Sequence, residues 1–336
     1  MLDQLTYDPE LAPGAHNAIE TCLALRPGER LTIITDRLTS EIAASLIAAA
    51  QEAGCTIQTF ILEDEAPRPL VHCPQRILAA VPASDAVISC FQPQAGEIAS
   101  RSELIEIIER EEIRYAHMVW ISPIIMRQAM RVDYHLVDAL SVRVLEQVHR
   151  AERVVVKSPA GTDIVATFDP EMFWIKTSGL ITPNYWSNLP GGEVWTAPKS
   201  VDGIFVADGA VGDYLCQKYG DLSATPLTIE IEGGVLRDAH CANASLRSDF
   251  LEYCRAVPNG DRVGEFAFGT NIGVSQMIGN LLQDEKVPGV HIAFGNPCAN
   301  LTGADWTCTT HIDAISRNTD VWADDRPIMA KGRFLV

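Results

Sequence analysis

The stretch RLTIITDRLTSEIAASLIAAAQEAGCTIQTFIL, Arg30–Leu62, decides the fold class. Its opening RLTIITD is an apolar run that reads as a buried strand, and the closing CTIQTFIL reads as the next one. Between them, SEIAASLIAAAQEAG has the apolar spacing of an amphipathic helix, opened by Ser40 and stopped by Gly54. Strands joined through a helix of this length lie parallel in one sheet. Outward from it the pattern repeats. HNAIETCLAL reads as a helix and RPGE as a turn on the upstream side. Downstream, QRILAAVPASDAVISCF and RSELIEIIEREEIRYAHMVWI each repeat helix then strand. Residues 1–150 are therefore expected to form an α/β domain around a doubly wound parallel sheet. No GxGxxG follows the first strand, so nothing marks this sheet as a dinucleotide site.

From about residue 151 the character changes. RVVVKSPAGTDIVATFD reads as a hairpin turning at PAGTD, and PLTIEIEGGVLRDAH as a second with Gly233-Gly234 at its turn. DGIFVADGAV adds a strand, and helices are expected in SLRSDFLEYCRAV and GVSQMIGNLLQD. Residues 151–336 are thus expected to form an α+β domain, and the unusual polar residues fall there.

A chain of 336 residues suits two packed domains, and 47% hydrophobic with 21% charged residues is ordinary globular composition. The formal net charge of −18 argues against nucleic acid or an anionic membrane as partner. No apolar run is long enough to cross a bilayer, and MLDQLTYDPELAPG does not read as a signal peptide. Nine dispersed cysteines without a CxxC pair fit reduced thiols, so a cytoplasmic protein is expected.

Four segments carry the candidate chemistry. NLPGGEVWTAP places Glu193 after a Pro-Gly-Gly turn, VGEFAFGTN places Glu265 in an apolar alternation, and GVHIAFGNP places His291 between apolar neighbours. In CTTHIDAIS, His311 and Asp313 stand two apart on a strand and so face the same way. Each group alone fits an ordinary structural role. Together, three carboxylates and two imidazoles in apolar settings call for a compensating cation. Nitrogen and oxygen donors without thiolate suit Zn, Mn, Fe or Co. Trp195 and Trp306 flank these segments and are candidate walls of a substrate pocket. His240, Asp320, Asp324 and Asp325 read as surface residues, and Asp36 as a turn or capping residue at a strand end.

The order NLPGGEVWTAP, GEFAFGTN, HIAFG, HID resembles the metallo-aminopeptidase family of aminopeptidases T and S, and LRPGERLTIITD through PAGTDI extends the likeness over nearly the whole chain. The resemblance implies that Glu193, Glu265, His291, His311 and Asp313 ligate a dinuclear site, with Glu265 or Asp313 as the bridge. It further implies Glu193 and Glu265 as catalytic carboxylates, Zn, Co or Mn as two ions or one, and a homodimer. The activity implied is hydrolysis of a small amide or short peptide by metal-activated water. A tyrosine of that family has no counterpart here: its place falls near Cys298. The same superfamily contains 2,5-dihydroxypyridine 5,6-dioxygenase, whose mononuclear iron is held by two histidines and an aspartate, with a histidine where this chain has Glu265. That resemblance implies the alternative, an Fe(II)-dependent ring-cleaving dioxygenase.

Overall fold

The structure, a computed structural model, describes residues 5–183 and 186–336. The first four residues, part of the N-terminal stretch considered above, lie outside the described residues. The chain divides into two units, Met1–His135 with Gly179–Gly191, and Leu136–Ser178 with Gly192–Val336. It therefore passes between units three times, where the sequence suggests one boundary near residue 150. Among the described residues no helix is long and apolar enough to cross a membrane.

The first unit is built on a parallel sheet. Numbered along the whole chain, its strands are β1 (Arg30–Thr35), β2 (Thr56–Ile61), β3 (Ala86–Cys90), β4 (Arg114–His117) and the short β8 (Ser187–Asn188), in the order β2-β1-β3-β4-β8. All five residues of β3 are buried, as expected for a central strand covered on both faces. Helices Ser40–Glu52 and Ile98–Arg110 stand where the spacing predicts them. The connections leave β1 in opposite directions towards β2 and β3, the switch point where such sheets usually take a ligand. Here that position is filled by the chain's own side chains. Arg68 binds Glu97 through two hydrogen bonds of 2.9 and 2.6 Å, Asp36 at 3.1 Å and the Gln92 carbonyl at 2.7 Å. Asp36 also accepts from the Thr39 backbone and hydroxyl, which is the turn role read from its position.

The second unit holds two antiparallel sheets. One runs β12-β11-β10-β6-β5-β16-β17-β18. Its strands are β5 (Arg153–Lys157), β6 (Asp163–Thr167), β10 (Ser200–Ala207), β11 (Leu227–Glu232), β12 (Val235–His240), β16 (Asp320–Ala323), β17 (Arg326–Ala330) and β18 (Arg333–Phe334). Both expected hairpins are present in it, β5–β6 and β11–β12. The other sheet runs β15-β14-β13-β9-β7, with β7 (Ile175–Thr177), β9 (Glu193–Thr196), β13 (Val263–Gly269), β14 (Gly289–Gly295) and β15 (His311–Ser316). Val194, Phe266, Phe268, Val290, Ile292, Phe294, Ile312 and Ala314 of this sheet join the main core with residues of the larger sheet and helix Ala244–Arg255.

That core fixes what the other face carries. Strand residues alternate in direction, so with those eight residues turned inwards, the residues between them point away. The pairing Glu265↔Ala293↔Asp313 puts two carboxylates at one level of three neighbouring strands. Small Ala267 and Ala293 occupy the same face and leave room above it. One irregularity is essential. Val263 pairs with Phe294 and faces the core, yet Glu265, two residues on, pairs with Ala293 and faces away. The extra residue is Gly264, a β-bulge that switches the phase of β13. A Cβ at Gly264 would lie 2.0 Å from the Gly295 carbonyl oxygen, so the bulge demands glycine.

The expected helix over GVSQMIGNLLQD is mostly absent, and only Leu281–Asp284 is helical. Gly279 sits at φ +70°, and the Asp284 carboxylate draws in the backbone N–H groups of Ile278, Gly279 and Asn280, which fixes a turn instead.

Gly264→Ala is expected to destabilise the protein by about 1–3 kcal/mol through overpacking, read as a lower urea midpoint than wild type.

Candidate metal centre

The face parity of the smaller sheet gathers all five candidate ligands. β9 contributes Glu193, β13 Glu265, β14 His291, and β15 both His311 and Asp313. They form two triads, Glu193/Glu265/His291 and Glu265/His311/Asp313, in each of which one donor atom per residue lies within 4.8 Å of the others. Glu265 belongs to both. Its Oε1 lies 3.4 Å from His291 Nε2 and its Oε2 3.7 Å from His311 Nε2. Glu193 Oε2 completes the first triad at 3.7 Å from His291 Nε2, and Asp313 Oδ1 the second at 3.4 Å from His311 Nε2.

The two triads differ in access. The His291 side chain is 2% exposed and that of His311 32%. The His311 ring is oriented from behind: Nδ1 donates to the Asn296 carbonyl at 3.1 Å, which leaves Nε2 free to act as a ligand. His291 Nε2 is buried and makes no hydrogen bond. A buried ring nitrogen that faces two carboxylates at 3.4 and 3.7 Å without a well-formed hydrogen bond is suited to be a ligand atom.

Electrostatics agree. Burial opposes charge on both rings, but Glu265 and Asp313 outweigh it and hold His291 above, and His311 well above, the ordinary imidazole range. Burial also opposes charge on Asp313, yet the facing His311 keeps its carboxyl below the usual range. The facing carboxylates thus favour the cationic form of both rings, a preference that a bound cation would replace. The donor set of imidazole and carboxylate fits a divalent transition ion. Burial pushes the Cys298 thiol up to about 11.

Two residues beside the site escape sequence reading. Lys286, with a side chain 1% exposed, places Nζ 2.8 Å from Glu193 Oε1 and 2.5 Å from Glu285 Oε1. Burial works against its charge, but these carboxylates hold the ammonium protonated. At Glu285 burial, with the nearby Glu193 and Asp313 charges, pushes the carboxyl up against the pull of the ammonium. Thr177 donates to Glu193 Oε1 at 2.9 Å. In QDEKVPG the lysine looks like one more loop charge, and only its burial marks it out.

Trp195 lies on the ligand face of β9, and its partner Ala267 pairs in turn with His291. Trp306 lies under the Arg262 guanidinium, 4.0 Å from the ring centre. His240 is exposed and pairs with Glu230 at 3.0 Å. Asp324 accepts from the backbone of Glu152 and Arg153, and Asp320 from that of Lys331, so these residues keep the surface roles expected of them.

A sequence model of the family described as NicX, 2,5-dihydroxypyridine 5,6-dioxygenase, matches residues 14–262. The match includes Glu193 and ends just before Glu265. No curated protein matches the sequence. Among solved structures, 2,5-dihydroxypyridine dioxygenase from Pseudomonas putida KT2440 superposes with a TM-score of 0.69 at 17% identity over 97% of each chain. AmpT from Thermus thermophilus superposes with a TM-score of 0.71 at 18% identity, over 97% of this chain and 99% of its own. Both likenesses are of fold.

Because an ion entering the Glu265/His311/Asp313 triad must displace the proton favoured on His311, metal affinity is expected to fall as pH drops through the raised value of that imidazole. The slope is about tenfold per pH unit for each proton displaced. Calorimetric titration in buffers of different ionisation enthalpy measures the proton release directly.

Proposed function

The chain belongs to the 2,5-dihydroxypyridine 5,6-dioxygenase family, and from that premise we propose that it is an Fe(II)-dependent dioxygenase opening a small hydroxylated aromatic ring. The observation that carries this reading is the inequality of the triads. Glu265, His311 and Asp313 include the partly exposed donor, His311, whereas Glu193 in the buried triad is already engaged by Lys286. One reachable ion position suits a mononuclear centre with open places for substrate and oxygen.

Glu265, His311 and Asp313 would hold the ion, whose chemistry would be activation of dioxygen for ring opening or, in a hydrolase, of a water for attack on an amide. The protein's part is orientation. Asn296 aims the His311 ring, β15 holds Asp313 on the same face, and Glu265 contributes the third donor. With glutamate where the dioxygenase resemblance implies histidine, the triad has one imidazole and two carboxylates. Trp195 and Trp306 are the flat apolar surfaces suited to an aromatic ring, and Arg262 stiffens Trp306 from above.

Hydrolysis of a small amide or short peptide in a homodimer of the aminopeptidase kind is the second reading. It is favoured by the unpartnered His291 Nε2 and by the splitting of Glu265 between two triads, as a bridging carboxylate would be. Against it stands Cys298: a neutral thiol is a poor substitute for a phenol that stabilises a developing oxyanion.

The two separate by assay. After anaerobic Fe(II) loading, oxygen uptake with dihydroxypyridine-type substrates is the expected result, with no cleavage of aminoacyl anilides under Zn, Co or Mn. Anilide cleavage without oxygen uptake would reverse the order of the readings. In either case Glu265→Ala is expected to lower turnover by about 100-fold or more, the scale seen for a lost electrostatic group at a reacting centre.

A further inference from the structure

Lys286 is a buried cation to which neither reading of the reaction gives a chemical step. It sits on the segment Glu285–Val287 between helix Leu281–Asp284 and β14, and that segment is fixed in place. Gly269, which pairs with Glu193 across β13 and β9, has no side chain to keep it away. A Cβ there would lie 2.0 Å from the Val287 carbonyl oxygen and 2.7 Å from the Lys286 carbonyl carbon. Asn271 donates its backbone N–H to the Lys286 carbonyl at 2.9 Å. The ammonium is thereby held 2.8 Å from Glu193 Oε1, on a residue of the buried triad.

We propose that Lys286 is a built-in counter-cation that takes the place of a second metal ion, so that the protein binds one divalent ion although it carries donors for two. The inference rests on reading the site as a metal centre. An ammonium hydrogen-bonded to Glu193 neutralises that carboxylate and repels a dication approaching the same triad at short range and low dielectric. Glu193 then stays as a fixed anion beside His291 instead of a full ligand. Lys286 is on this account a positioning residue that sets metal stoichiometry. The ion occupies the other triad, where His311 is reachable.

The test is titration of the metal-free protein with Co(II), followed by visible absorption and checked by elemental analysis of the dialysed complex. Wild type is expected to saturate at one equivalent and Lys286→Met at two, with a second set of d–d bands. Lys286→Arg, which keeps the charge, is expected to saturate at one, as is Lys286→Met combined with Glu193→Gln, which removes both members of the pair. Lys286→Gln serves if the methionine variant does not fold. Two equivalents on wild type, or one equivalent at unchanged affinity on Lys286→Met and Lys286→Gln, overturns the proposal. No binding to wild type at all would remove the metal centre itself, and the proposal with it.

Discussion

Three carboxylates and two imidazoles share one face of a five-stranded sheet whose other face is closed by aromatic and aliphatic packing. Such a face cannot be left as it is. Like charges held this close with little water must take up protons, an internal ammonium or a metal ion, since an isolated buried charge is too costly. The protein uses all the means its sequence permits: raised imidazoles, a lysine driven into the site, and a donor geometry that admits an ion. Each feature follows from the need to neutralise that face. The architecture around it, from the small alanines to the bulge in β13, decides where the charges fall.

Much of this was legible in the primary structure. Alternation in VGEFAFG, GVHIAFG and HIDAIS marks strands with acids and imidazoles in one phase, and the hairpins at PAGTD and Gly233-Gly234 are plain from turn chemistry. The parallel sheet of the first unit is equally clear from apolar strand runs with helices between them. Three things were not legible. The phase switch at Gly264 is a property of pairing with β14, and its glycine means nothing until the Gly295 carbonyl is in view. The loop over Gly273–Gly279 has helical spacing, but the Asp284 carboxylate competes for its amides. Lys286 reaches Glu193 across 93 positions of chain, and no local period encodes such a contact.

Family and site speak to different parts of the chain. The matched residues end at 262, so the family likeness rests on the first unit and the front of the second, while four of the five gathered side chains follow it. The full-length superpositions restore those strands to a common fold with a dioxygenase and with AmpT alike. The fold is thus shared with a dioxygenase and with AmpT, so the reaction has to be argued from the side chains this chain places on that face.

The Arg68 cluster bears on the other half of the molecule. In sheets of this topology the crevice outside the carboxyl ends of the strands is a ready-made cradle for phosphates and cofactors. Here a guanidinium 4% exposed already occupies it, tied to two acids that are themselves nearly sealed. Evicting that arginine would strand Asp36 and Glu97 as unmatched buried anions, a loss of about 3–5 kcal/mol for a pair of this kind. The first unit has therefore closed this doorway from within, and anyone grafting a nucleotide site there would have to rebuild the lock before cutting a key.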